Sequence, residues 1–359
     1  MNALSKVTCS TAVAMTAVLA LPACGGSSGE GENESIVVAM GHEAPYPGEE
    51  AVMYAIPKGL GLFEDYGIDV DYQPTAGSAV AIQLVQAGEA DLGQGNPSSV
   101  MAAINKDVDI TITYNIIPEY GSGLAVLPDS AIESPDDLAG TTIGVASLSS
   151  SRLPEAQAMA AEAGLSDDVE FVAVGVGAQA ASALSSGKVD GLYLWDAAYQ
   201  SIQLGGTDLR VIRDVFPEAD QLLDFVQYAS GDAIENKSDA LEKLGRAGAV
   251  AQVWAKDNLE EALDMFYDEF PNARSDGEGR ERDLAILKFT LEQFDPEGSA
   301  QSGFGDTPQD RTDVTAAFLA DNDLLPEALP ADEYVDNSFV EAYNEDIAAE
   351  VERVSKESR

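Results

Sequence analysis

The stretch over residues 59–99 constrains the fold more than any other part of the chain. It opens with Gly59-Leu60-Gly61-Leu62-Phe63-Glu64-Asp65-Tyr66-Gly67-Ile68-Asp69-Val70 and passes a turn-rich Thr75-Ala76-Gly77-Ser78. It closes with Gly88-Glu89-Ala90-Asp91-Leu92-Gly93 and Asn96-Pro97-Ser98-Ser99. Ile68, Val70 and Tyr72 alternate with acids, the pattern of a strand with one wetter face. Val80, Ala81, Leu84 and Val85 fall at helical spacing, with Ser78 set to act as N-cap and Gly88 as the C′ residue. A short strand around Asp91 and Leu92 then delivers Asn96 to Ser99 to the end of a sheet. Ligands of open α/β sheets sit at the carboxyl ends of strands. The stretch therefore reads as a binding site before it reads as an enzyme.

The same alternation runs on either side. Ile36-Val37-Val38-Ala39-Met40 is a buried strand ending in the Pro-rich loop Gly41-His42-Glu43-Ala44-Pro45-Tyr46-Pro47. Further strands are predicted over 109–114, 123–127 and 142–146. Ser134 and Pro135 mark a capped helix start between the last two. A second block predicts strands over 169–174, 191–195 and 209–212, with helices over 178–185 and 196–204. Residues 222–230 read as a return crossing. From about 240 onward the chain is helical by spacing, over 241–254, 259–270, 280–294, 310–320 and 337–354. Repeated strand–helix alternation in two blocks implies an α/β chain of two lobes, each built on a mainly parallel sheet flanked by helices.

Three phrases in order carry a family resemblance. They are Gly61-Leu62-Phe63 with Tyr66-Gly67-Ile68-Asp69-Val70 and Gly88-Glu89-Ala90-Asp91-Leu92-Gly93; then Ser134-Pro135-Asp136-Asp137-Leu138-Ala139-Gly140-Thr141-Thr142-Ile143-Gly144-Val145; then Gly187-Lys188-Val189-Asp190-Gly191. Over residues 36–214 the chain resembles the solute-binding proteins of ABC importers for nitrate, taurine, alkanesulfonates and thiamine-precursor pyrimidines. The resemblance implies a two-lobed periplasmic-binding-protein type II fold with a ligand between the lobes. It places crossings near Leu127 and Asp224, giving lobe I over 36–126 and 225–359 and lobe II over 127–224. It also implies hinge closure on a small solute and delivery to an ABC importer permease, with no cofactor, no catalysis and a monomeric chain. The alkanesulfonate branch has a Trp-Asp followed by Pro-Tyr; here the text is Trp195-Asp196-Ala197-Ala198-Tyr199, without the proline.

The start of the chain sets the expected compartment. Lys6 precedes an apolar run over residues 12–21, followed by Leu21-Pro22-Ala23-Cys24. This describes a secretory signal over 1–23, too short for a membrane span. Leu-x-Ala-Cys resembles a lipobox, which implies lipidation of Cys24 and anchoring on the extracytoplasmic side of the cell membrane; a cleaved signal with an incidental cysteine is the other reading. Two acyl chains suffice for stable anchoring. Residues 25–35 have the composition of a flexible tether. Cys9 lies within the signal, so the mature chain forms no internal disulfide and no cysteine metal site.

With 19 Lys plus Arg against 63 Asp plus Glu, the chain carries a formal charge of −44. That argues against nucleic acid, which needs clustered cations. The acids are spread along the chain and 45% of residues are hydrophobic, so this is no disordered acidic tail. A solvated surface suited to high salt fits the pattern. The chain has no Walker loop and no His-Glu-x-x-His, and only one histidine. A structural lipoprotein and a pyrimidine-synthesis enzyme are the alternatives from other classes.

Candidate ligand contacts in the first lobe are His42, Tyr46, Ser78, Asn96, Ser98, Asn115 and Tyr120; in the second, Ser147, Ser149, Ser150, Arg152, Trp195 and Asp196. His42 is either a surface residue or a ligand contact, and a metal site there lacks partners. The serines before the predicted helix at Arg152 are either caps or a polar cradle. Trp195 is either core or a cleft wall. Arg152 is either a surface cation or the partner of a sulfonate or carboxylate. Asp196 and Glu43 would repel an anion, whereas Tyr46, Tyr120 and Trp195 would stack on an aromatic ring. A sulfonate, taurine or nitrate-like anion and a pyrimidine or other heterocycle both stay open.

Overall fold

The computed structural model describes residues 33–41, 45–118, 120–148, 150, 152–296 and 301–357. The strands are β1 (Glu34–Ala39), β2 (Ile68–Gln73), β3 (Leu92–Gly95), β4 (Ile110–Ile117), β5 (Ser122–Val126), β6 (Thr142–Val145), β7 (Glu170–Ala173), β8 (Gly191–Trp195), β9 (Arg210–Ile212) and β10 (Phe225–Ser230). A π-helical segment, Ala51–Ala55, runs into α1 (Ile56–Gly59), followed by α2 (Leu62–Tyr66), α3 (Ser78–Gln86) and α4 (Pro97–Ile104). Next come α5 (Arg152–Glu162), α6 (Ala178–Ser185), α7 (Asp196–Leu204), α8 (Gly231–Asn236), α9 (Ser238–Asp257) and α10 (Leu259–Glu269). The last are α11 (Glu278–Gln293), α12 (Gln309–Asp321), α13 (Val340–Tyr343) and α14 (Ile347–Glu357).

The strands form two five-stranded sheets, ordered β2-β1-β3-β10-β4 and β7-β6-β8-β5-β9. The chain is an α/β protein of two lobes. In the first sheet Ile36 pairs with Val70 and Val38 with Tyr72, in parallel. Ile36 and Val38 are buried because β1 is covered on both sides, whereas Asp69 and Asp71 of the edge strand β2 stay exposed. Each sheet is mixed rather than mainly parallel: β10 runs antiparallel to β3 and β4, and β5 runs antiparallel to β8 and β9. β5 and β10 are the strands that follow a crossing between the lobes. Each enters its new sheet from the end at which the neighbouring strands finish, and so runs against them. Because β5 pairs only in the second sheet, the chain passes from the first sheet to the second between β4 and β5, and we call this passage the first crossing. The second spans 213–224, between β9 and β10.

Three cores result. One joins the first sheet to α9 and α10, with Trp254, Phe266 and Tyr267 fully buried. Within α9, a Cβ on Gly245 would meet the Tyr343 ring at 2.4 Å, so only glycine lets that ring seat there. A second core runs through both lobes, from Ile112, Val226 and Tyr228 to Leu124, Val126, Val145 and Tyr193. The third lies between the second sheet and α6 and α7.

The helix expected over 337–354 is broken. Asn344 donates its side-chain N–H to Val340 O (2.7 Å) and Phe304 O (3.0 Å) and accepts from Phe304 N (2.9 Å). Asp346 then takes φ +49, and a new helix starts at Ile347. Side-chain amides that satisfy backbone groups end helices in this way. The helix start at Ser134 is only a single turn, Pro135–Asp137, with the Asp137 carboxylate accepting from the N–H groups of Glu133 and Ser134.

Candidate functional site

The candidate residues gather at the carboxyl ends of strands in both sheets and on the two crossings. On the first-lobe side, Thr75 follows β2 and its hydroxyl donates to Met40 O at 2.6 Å, tying the turn after β2 to the end of β1. Gly77, at φ +129, opens α3, so Ser78 is the helix's first residue and not its cap. The buried Ser78 hydroxyl instead accepts from Asn96 N at 3.2 Å. Asn96 follows β3 and caps α4: its Oδ1 accepts from Ser98 N (3.1 Å) and Ser98 Oγ (2.7 Å). Its Nδ2 donates to Asp224 O at 3.2 Å. Asn96 therefore joins the first lobe to the second crossing. Asn115, on β4, is buried, and its side-chain amide has no hydrogen-bond partner among the described residues. Tyr46 donates to Glu49 Oε2 at 2.5 Å. Burial, then Glu49 and Glu50, push its phenol well above the ordinary range.

On the second-lobe side, Ser150 Oγ accepts from Arg152 N at 3.3 Å, so this serine serves the start of α5. Ser147 is half-buried. His42 and Ser149 lie outside the described residues, as does Cys24. Trp195, at the end of β8, is half-buried and packs against the third core. Asp196 opens α7; its N–H donates to Gly121 O at 2.8 Å and its carboxylate pairs with Arg213 at 2.5 Å. Burial raises the Asp196 pKa, and Arg213 only partly opposes this.

The centre is Arg152. It is 6% exposed, and its guanidinium donates to Glu155 Oε2 at 3.0 Å and to Asp224 Oδ1. It lies 5.5 Å from the centre of the Tyr120 ring. The Tyr120 hydroxyl donates to Glu155 Oε2 at 2.6 Å and sits 2.9 Å from the Tyr193 hydroxyl. Burial disfavours the charged guanidinium, but Asp224, Glu155 and Tyr120 outweigh it and hold the proton more firmly than usual. A cavity of about 10 Å³ adjoins this group, lined by Asn96, Ser98, Tyr120, Glu155, Leu222 and Leu223 among others. Such a volume is room for about one water.

Of the expected contacts, Asn96, Ser98 and Tyr120 meet around that cavity, and Arg152 reaches it through Glu155. Asp196 joins the group through Asp224, which acts on it electrostatically. Thr75, Glu49, Glu50, Glu155 and Asp224 are not among the contacts the sequence suggests. Glu155 has a signal, since it stands three residues after Arg152 on one helix face. Asp224 has none: only the crossing brings it there. The neighbourhood holds the carboxylates of Glu49, Glu50, Glu155, Asp196 and Asp224 against the guanidiniums of Arg152 and Arg213. No group of three or more His, Cys, Asp or Glu among the described residues could hold a metal ion. No helix among them is long and apolar enough to cross a membrane.

A family model described as NMT1/THI5 like matches residues 51–262, more than half of the chain. The formylaminopyrimidine-binding protein of Halalkalibacterium halodurans is 25% identical over 284 residues, covering 76% of this chain and 82% of that protein. A solved structure from Bordetella bronchiseptica RB50 superposes with a TM-score of 0.65 at 23% identity, over 88% of this chain and 98% of that one. The periplasmic aliphatic sulphonate binding protein SsuA of Escherichia coli does so with a TM-score of 0.61 at 15% identity, over 85% and 92%. These structural likenesses bear on the fold, and they agree with the two-lobed arrangement.

Proposed function

This chain belongs to the NMT1/THI5-like family, and from that premise we propose that it is an extracytoplasmic solute-binding protein. It closes two lobes on a small ligand and hands it to an ABC importer permease. The ligand we assign is an amino-bearing nitrogen heterocycle of the aminopyrimidine kind rather than a sulfonate or nitrate. One observation carries this reading. Arg152, the cation an anion would need, is buried and already held by Glu155 and Asp224. Carboxylates outnumber guanidiniums around it, so an anion would meet net repulsion, whereas amino N–H groups would find acceptors. Tyr46, Tyr120 and Trp195 are the rings we assign to stacking. The formylaminopyrimidine-binding relative supports the same class. The anion reading requires Arg152 to leave one of its carboxylates as the ligand arrives.

Binding here needs only a population shift. A ligand that touches both lobes binds the closed form better and draws the equilibrium toward it. No covalent step is required, and we assign no catalysis. We further propose a monomer tethered through lipidated Cys24. A Cys24→Ser variant should then move from the membrane fraction to the soluble fraction.

A thermal-shift titration tests the ligand class, since a ligand at 100 times its Kd stabilises by about 2.7 kcal/mol. A formylaminopyrimidine should raise the melting temperature, and taurine, an alkanesulfonate and nitrate should not. A rise with a sulfonate and none with the pyrimidine overturns the assignment. A rise with neither would exclude the pyrimidine and the anions alike.

A further inference from the structure

We infer that Arg311, on α12 and outside the region the family model matches, is a positioning residue that holds the two interlobe crossings at a fixed separation. Its Nη1 donates to Pro118 O in the first crossing, and its Nη2 donates to Asp220 O in the second at 3.0 Å. One planar guanidinium thus spans both strands of the hinge. Four residues on, the Thr315 hydroxyl accepts from Leu223 N at 3.0 Å and donates to Arg311 O at 2.8 Å. A further turn along, Phe318 packs on Phe216 of the second crossing at 4.4 Å between ring centres, and Phe216 lies 6.0 Å from Tyr120 of the first. A single face of α12 therefore grips both crossings at successive turns.

The choice of partners is informative. The chain has 63 acidic residues against 19 basic ones. Arg311 nevertheless spends both terminal nitrogens on main-chain carbonyls, and forms no ion pair among the described residues. A guanidinium presents its donors in a rigid fork, so two carbonyls bound to it cannot slide past each other without breaking a bond. Bending of the crossings stays open, because it alters that separation little. The tie thus permits hinge closure while resisting shear, and keeps Asp224 and Gly121 in register for the site between them. This inference does not depend on which ligand the cleft takes.

The test uses the full chain carrying Cys9→Ser and Cys24→Ser, with spin labels at Val80→Cys and Val176→Cys, exposed positions on α3 and beyond β7. Distances between labels are measured without added ligand, in the Arg311 background and in Arg311→Lys and Arg311→Ala. Lysine keeps the charge but offers a point donor that cannot fork. Both variants should broaden the distance distribution, and amide exchange at Gly121 and Leu223 should quicken roughly tenfold, the loss expected for a charge-assisted bond. Exchange at Val226 and Tyr228 in β10 should stay as in the parent. Unchanged distributions overturn the inference. So does a fall in melting temperature with unchanged distributions, or global unfolding of the lysine variant, since each makes Arg311 a general prop.

Discussion

Gly121 in the first crossing donates its backbone N–H to Oδ2 of Asp224 in the second, at 3.0 Å. The same carboxylate receives Arg152 from α5 on its other oxygen. One side chain therefore joins both crossings and the second lobe. A Cβ on Gly121 would lie 2.9 Å from Asp224 Oδ2, 3.1 Å from Gln293 Nε2 and 3.3 Å from Asp196 Oδ2. Gly121→Ala should part these groups. Overpacking of a filled site costs about 1–3 kcal/mol. Urea unfolding should show that loss, and ligand binding should weaken with it. A variant as stable as the parent would mean that the crossings have slack.

Asp224→Ala should cost more. Breaking a buried pair by removing one partner costs about 3–5 kcal/mol, because the remaining charge stays buried. Glu155 still holds Arg152, so the lower end of that range is expected. Asp224→Asn keeps an acceptor for Gly121 and should lose less than Asp224→Ala. Denaturant midpoints of the two variants check the order, and the reverse order would show that the hydrogen bond from Gly121 contributes nothing to stability.

How far the fold can be read in advance follows from where the forces act. Strands β1, β2, β6 and β8 and helices α3, α6 and α7 follow from local periodicity and glycine punctuation, as at Gly88 and Gly187, which both take positive φ. The crossings carry no such period. Residues 123–127 read as a strand but give no sign of which sheet they join, since pairing is decided by contacts distant in sequence. Arg152 stands out in the sequence as a candidate partner for an anion, but its partnership with Asp224 spans 72 residues. The serines before α5 have the composition of a ligand cradle, yet Ser150 turns inward to the helix start. The break at Asn344 is hidden because its partner Phe304 stands 40 residues away.

Asp196 gives a pH signature. Burial raises its pKa in the folded chain above the ordinary value of 3.8, against the partial opposition of Arg213. Between the ordinary and the raised value the folded form binds more protons than the unfolded form. Stability therefore falls as pH rises through that window, and at neutral pH the ionised carboxylate is a cost. Asp196→Asn should melt higher than the parent at pH 7. The difference should shrink as pH falls and vanish once both forms are protonated. Melting curves from acid to neutral pH measure it; a variant that melts lower at pH 7 would mean the Arg213 pair outweighs burial.

Salt separates two opposed electrostatic effects on the surface. Ion pairs such as Lys243 with Asp239 and Arg274 with Asp268 join largely exposed partners. Exposed pairs of this kind contribute about 0–1 kcal/mol each, and salt weakens them. Against them stands a formal charge of −44, spread along the chain, whose self-repulsion salt relieves. At 1 M the screening length is about 3 Å, so both effects are nearly removed. With acids exceeding bases more than threefold, most carboxylates have no cation to lose, and relief of repulsion should dominate. The melting temperature should therefore rise steadily from dilute buffer to molar potassium chloride. The buried Arg152–Asp224 pair should survive, because its partners are shielded from the solvent ions. A melting temperature that stays level or falls over that range would show that the acidic surface gives no salt-dependent stability, and the reading of a salt-suited exterior would have to be dropped.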